Sequence, residues 1–78
     1  MIDYTPFWNT LKNNENENWY TLVNNHNVNP GTLHRLKHNM PISTVTIDNL
    51  CNILHCDVAD ILRHFSDKDP SSNHIGQQ

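Results

Sequence analysis

The chain has 78 residues and a mass of 9.1 kDa, room for one small domain and no second. Its core must be thin, and enclosing a substrate pocket of about 300 Å³ or more would consume much of it, so a self-contained enzyme is not expected. The apolar share of 36% is below the roughly 45–50% of typical globular chains. Leu, Ile, Val and Phe still supply 19 residues, and the net charge is only −3, so a folded domain rather than a disordered chain is expected.

No apolar run approaches the ~18–20 residues of a bilayer span, so no membrane partner is expected. The stretch from Met1 to Trp8 has neither a basic flank nor an apolar run, and no signal peptide is expected. Cys51 and Cys56 are too few for a disulfide framework, which points to a reduced, cytoplasmic setting.

In chain order, Thr5-Pro6 reads as an N-cap followed by proline at the first helical position. The helix it opens carries Phe7, Trp8 and Leu11 and fades in the polar run 13–18. A second helix is expected from near Asn18, with Trp19, Tyr20, Leu22 and Val23, stopping around residues 25–27. Asn29-Pro30 repeats the cap-plus-proline start for a third, with Leu33 and Leu36 on one face. It ends near Asn39, and Pro41 prevents continuation. Ser43 or Thr44 caps a fourth, whose stripe of Ile47, Leu50, Cys51 and Leu54 follows the i, i+3, i+4, i+7 pattern.

Asp57 caps an expected fifth helix with Val58, Ile61, Leu62 and Phe65. Beyond it the chain is polar except for Ile75. Residues 67–78 are therefore expected to be a disordered tail behind a domain spanning residues 1–66. Almost nothing alternates like a strand. The expected fold class is all-α, a five-helix orthogonal bundle.

The stretch from Trp19 to His38 carries the functional signal. Two short helices flank the tight turn His26-Asn27-Val28-Asn29. Val23 on the first helix, Val28 in the turn, and Leu33 and Leu36 on the second give the packing pattern of a helix-turn-helix. Such a turn needs a left-handed residue, for which glycine is commonest and asparagine next, and Asn27 stands there. An ordinary helical hairpin has the same spacing. Charge separates the two readings in part: residues 18–47 contain Arg35 and Lys37 and no acidic residue, whereas 1–17 carry −2 and 48–78 carry −3. Phosphate attraction acts over about a Debye length, so a local cationic face matters more than the acidic total. His34 and His38 add conditional positive charge to the same helix.

Residues 6–65 resemble the Cro and phage-repressor (XRE-like) helix-turn-helix regulators, closest to a small single-domain branch of bacteria and their mobile elements. The matching pieces are Trp8-x-x-Leu11, Trp19-Tyr20-x-Leu22-Val23 and Asn29-Pro30-Gly31-Thr32-Leu33-His34-Arg35-Leu36. The segment from Ile42 to Cys56, with Asp60-Ile61, completes the set. The resemblance implies a five-helix, lambda-repressor-like fold, operator binding through the third helix, and commonly a homodimer. Trp19 replaces the polar residue that often opens the second helix. Pro30 stands where relatives often place a polar base reader, and proline donates no hydrogen bond.

Base reading then falls on Thr32, His34, Arg35 and His38. Arg35 is the strongest reader, since a guanidinium bonds guanine O6 and N7 bidentately. Gly31 lets the backbone approach a base edge or sugar closely. Asn18, Lys37 and Asn39 are expected to contact phosphates and set register, with Asn29 at the start of the reading helix.

His34-x-x-x-His38 has zinc-helix spacing, but Arg35 replaces the general-base Glu of that motif, and two cations between the histidines would repel an ion. Cys51, on the apolar stripe, reads as a buried reduced thiol rather than a ligand. Trp8, Trp19, Tyr20 and Phe65 read as core or interface residues. No nucleophile–base–acid set or phosphate-cradling loop is present, so no catalytic residue, metal or cofactor is expected.

The function expected is a transcriptional regulator, a repressor, that binds a double-stranded DNA operator. The competing reading keeps the fold but binds a protein partner, as an antirepressor or antitoxin-like module would. The homodimer seam is expected on the fifth helix, at Val58, Ile61, Leu62 and Phe65.

Overall fold

The computed structural model describes residues 1–66. The tail expected over residues 67–78 lies outside them. The described residues form a short strand β1 (Ile2–Asp3) and four helices: α1 (Thr5–Lys12), α2 (Trp19–Asn24), α3 (Pro30–Lys37) and α4 (Thr44–Leu54). A single 3-10 turn (Val58–Asp60) and a second strand, β2 (Arg63–His64), follow.

Three of the four helices start where the sequence caps them. Asn18, Asn29 and Ser43 each accept a backbone N–H of the following turn through a side-chain oxygen. The first helix is the exception. Tyr4, not Thr5, occupies the cap position, and the Thr5 hydroxyl donates instead to Asp3 Oδ1 at 2.9 Å. The ends of α3 and α4 fall before residues in the left-handed region, Asn39 (φ 55°) and His55 (φ 54°). In each case the next N–H turns back to a helix carbonyl: Met40 to Arg35 at 2.8 Å and Cys56 to Cys51 at 3.1 Å.

The core is made by Phe7, Leu22, Leu33, Leu36, Leu50 and Ile61, all fully buried, with Tyr4, Leu11 and Leu54 beside them. The inward residue of α2 is therefore Leu22. Val23, expected in that role, is only half-buried and packs against the cluster's edge.

The expected fifth helix does not form. Asp57 and Asp60 build a reciprocal capping box, as a helix start requires, but the helix lasts one 3-10 turn. Ile61 is drawn fully into the core, and its carbonyl accepts the Phe7 N–H at 3.1 Å. Thr10 Oγ1 donates to the Asp60 carbonyl at 2.8 Å, so this return of the chain is stitched to α1. Residues 63–64 then pair antiparallel with residues 2–3, in the register Ile2 to His64 and Asp3 to Arg63. Among the described residues the fold is thus four helices and a two-stranded sheet rather than five helices.

The sheet is held at both ends. Phe65 N–H donates to the Met1 carbonyl at 2.9 Å, and Arg63 Nε donates to Asp3 Oδ2 at 3.1 Å. Burial pushes the Asp3 carboxyl up, but hydrogen bonds from Thr5 and Arg63 outweigh it and leave the group below the usual carboxylate range. The Arg63 guanidinium also lies 4.6 Å from the Phe65 ring centroid. Of the expected seam residues, Ile61 is core and Leu62 half-buried, while Val58 and Phe65 stand outside.

Candidate nucleic-acid interface

The helix-turn-helix is built from α2, the turn 25–29 and α3. At its start Asn18 and Thr21 exchange bonds: Thr21 N–H donates to Asn18 Oδ1 at 3.0 Å, and Asn18 N–H donates to Thr21 Oγ1 at 2.8 Å. The Thr21 hydroxyl also reaches Glu17, and the Glu17 carboxylate takes His26 Nε2 at 3.0 Å. The Thr21 hydroxyl, with His26, holds the Glu17 carboxyl below its usual range. Glu17 and His26 thus clasp the two ends of α2. No helical period connects residues nine apart, and the sequence reading missed the pair.

In the turn, Asn27 adopts φ 56°, the left-handed conformation expected of it. Val28 donates its N–H to the Leu22 carbonyl at 2.9 Å and lies half-buried over the core. Asn29 Oδ1 then caps α3 through the Gly31 N–H at 2.7 Å. A Cβ on Gly31 would stand 3.1 Å from Asn29 Oδ1 and 4.0 Å from Arg35 Nη1. The glycine therefore clears space for the cap. The Arg35 guanidinium lies one turn back, over the start of the helix.

Leu33 and Leu36 point α3 into the core, which at about 100° per residue turns Gly31, His34, Arg35 and His38 outward. All four are exposed, with Lys37 exposed on one flank and Thr32 half-buried on the other. The far end of α3 is anchored from the first helix. Trp8 Nε1 donates to the Leu36 carbonyl at 3.4 Å, and the Tyr4 hydroxyl donates to the Met40 carbonyl at 2.9 Å. Asn39 Oδ1 accepts the Tyr4 N–H at 3.1 Å. These ties to Tyr4 were absent from the sequence reading.

Asn29, Gly31, Thr32, His34, Arg35, Lys37 and His38 are therefore gathered on one helix and its cap. Asn18 sits at the start of α2 and Asn39 just beyond the end of α3. The side-chain carbonyls of Asn18, Asn29 and Asn39 all serve the fold itself. Asn18 and Asn39 can therefore offer a phosphate only their amide NH₂.

The aromatic residues divide. Trp8 stacks on Trp19 with centroids 5.8 Å apart and planes at 20°, joining α1 to α2. Tyr20 is 70% exposed and Phe65 44%, so neither is a core residue. Both cysteine thiols are half-buried, and burial pushes Cys56 up to about 11. Among the described residues no three His, Cys, Asp or Glu side chains group as a metal site.

Residues 8–67 match the family model of the Cro/C1-type HTH DNA-binding domain. The chain belongs to that family. No curated protein and no solved structure matches it. In this Cro/C1-type domain α2 and α3 are the helix-turn-helix, and double-stranded DNA is the partner the family implies. β1 precedes the matched segment, and its partner β2 lies within it. Among the described residues no helix is long and apolar enough to cross a membrane.

Proposed function

We propose that the chain is a sequence-specific transcriptional regulator, acting as a repressor by occupying an operator that α3 reads from the major groove. The observation that carries this is the outward face of α3. Gly31, His34, Arg35 and His38 are presented together on a segment, 18–47, without a single carboxylate. Arg35 supplies the bidentate contact to guanine, Thr32, His34 and His38 complete the base reading, and Asn18, Lys37 and Asn39 meet phosphates. Selection of bound duplexes from random DNA, followed by affinity measured at two salt concentrations, tests it. An enriched site with steep salt dependence is expected. A pool without enrichment overturns it.

One domain places one helix in one groove, so an operator of ordinary specificity takes two copies on half-sites about 34–36 Å apart. Val58 in the 3-10 turn and Phe65 just after β2, 49% and 44% exposed, support a homodimer seam on this final segment. A second reading, a protein-interaction module on the same fold, is favoured by Tyr20 and Trp19, exposed side by side at the start of α2. It predicts no site enrichment in the same selection.

A further inference from the structure

Two of the side chains on the outward face of α3 stand as a pair. His34 and His38 lie one turn apart with ring centroids 4.4 Å from each other and planes tilted by 53°. Among the described residues neither ring has a hydrogen-bond or ion-pair partner, in contrast to His26, which is tied to Glu17. Both are exposed, so an ion can arrive from solvent and keep water at its remaining positions.

We propose that His34 and His38 form a two-imidazole site for a divalent transition metal of the nickel or copper type. Metal–nitrogen bonds of about 2.0–2.1 Å put two imidazole centroids about 4.5 Å apart when the ligands are cis in a square-planar or octahedral ion. A tetrahedral ion opens that separation to about 5.2 Å. The observed 4.4 Å puts both rings within reach of one ion, and among the divalent metals that suit imidazole the affinity order rises through Ni²⁺ to Cu²⁺.

Of the two nearby cations Arg35 is turned back toward Gly31, and Lys37 stays exposed on the flank of the helix. The pattern of Arg35 and Lys37 between the histidines argues against an ion when read as sequence. In the folded helix the Arg35 guanidinium lies back over Gly31, a turn away from His38. The site also occupies the last turn of α3, where the helix dipole presents its negative end to a cation. The half-buried thiols of Cys51 and Cys56, raised by burial, are poor competitors because a thiol binds metal as its thiolate.

The site shares His34 and His38 with the proposed base reading, but its test contains no DNA and can fail without it. Calorimetric titration of the full chain with NiCl₂ is expected to show one saturable equivalent. His34→Gln and His38→Gln, substitutions of exposed residues, are each expected to weaken it by about tenfold or more. Nickel is expected to raise the melting temperature of the wild type but not of the variants, because it bridges two turns of native helix. Substoichiometric Ni²⁺ should broaden the His34 and His38 ring protons before those of His26, His55 and His64. Absence of saturable binding, or wild-type affinity in both variants, overturns the site, as does broadening that begins at another histidine.

Discussion

The side-chain carbonyl of Asn39 accepts the backbone N–H of Tyr4 at 3.1 Å, joining residues 35 apart in sequence. The same asparagine holds φ 55°, so one residue both ends α3 and fastens it to the start of the fold. Asn39→Gly keeps the turn and loses the bond, an expected cost of about 1 kcal/mol. Asn39→Ala adds the left-handed penalty of roughly 1–2 kcal/mol and should cost distinctly more. Denaturant unfolding of the two variants measures the difference.

Leu22→Ala, Leu33→Ala and Leu36→Ala are each expected to destabilise by ~2–5 kcal/mol, since all three side chains are fully buried. Val23→Ala, half-buried beside them, should cost less than any of the three. With a total stability of about 5 kcal/mol, the leucine variants approach outright unfolding. Thermal melts that rank Val23 above Leu22 would reverse the assignment of the inward face of α2.

Acid should loosen the fold through Asp3 and Glu17. Both carboxyls titrate below their usual values when folded, so the unfolded chain takes up their protons first as pH falls. Their stabilisation is complete above the unfolded values and is lost as pH drops through the folded ones. The melting temperature is therefore expected to decline below about pH 4.5. In Asp3→Asn it should start lower and decline less steeply, and a scan of melting temperature between neutral and acid pH reads both.

Arg35→Ala is expected to weaken operator binding by ~1–3 kcal/mol and relax preference at one base pair. Lys37→Ala should lower affinity evenly across sequences and reduce the salt slope by about one. Competition assays with single-base operator variants distinguish the two patterns. Equal loss on all sequences in Arg35→Ala would move base reading to Thr32, His34 and His38.

Sedimentation of the free protein at micromolar concentration is expected to show a dimer that Phe65→Ala weakens. Phe65 is 44% exposed and lies against Arg63 at the edge of the sheet. A wild type running as a 9.1 kDa monomer at high concentration would remove the seam, whatever the variant does.

What the sequence revealed, and what it hid, follows from how local each signal is. Asn18, Asn29 and Ser43 mark three helix starts because a cap is a bond within four residues. Asn27 marks the turn because few side chains tolerate its backbone angles. The sheet was hidden, since two-residue strands have no period and exist only because residues 2–3 and 63–64 meet. The final segment misled for a physical reason. Asp57 and Asp60 announce a helix, while Ile61, buried in the core with its carbonyl taking the Phe7 N–H, ends it after one turn. In the site, the outward face of α3 followed from Leu33 and Leu36, but the Glu17–His26 clasp and the ties of Tyr4 to Asn39 and Met40 join residues that no local pattern relates.

The stacked indoles have a practical consequence. Trp8 and Trp19 are the two tryptophans of the chain, and they face each other at 5.8 Å across the junction of α1 and α2. Indoles at that separation couple their excited states, and any skew between their transition moments gives an exciton couplet in circular dichroism. That couplet would vanish when the junction opens, even with every helix intact. Backbone ellipticity followed in parallel would then time the undocking of α1 separately from the melting of the helices, without any attached dye.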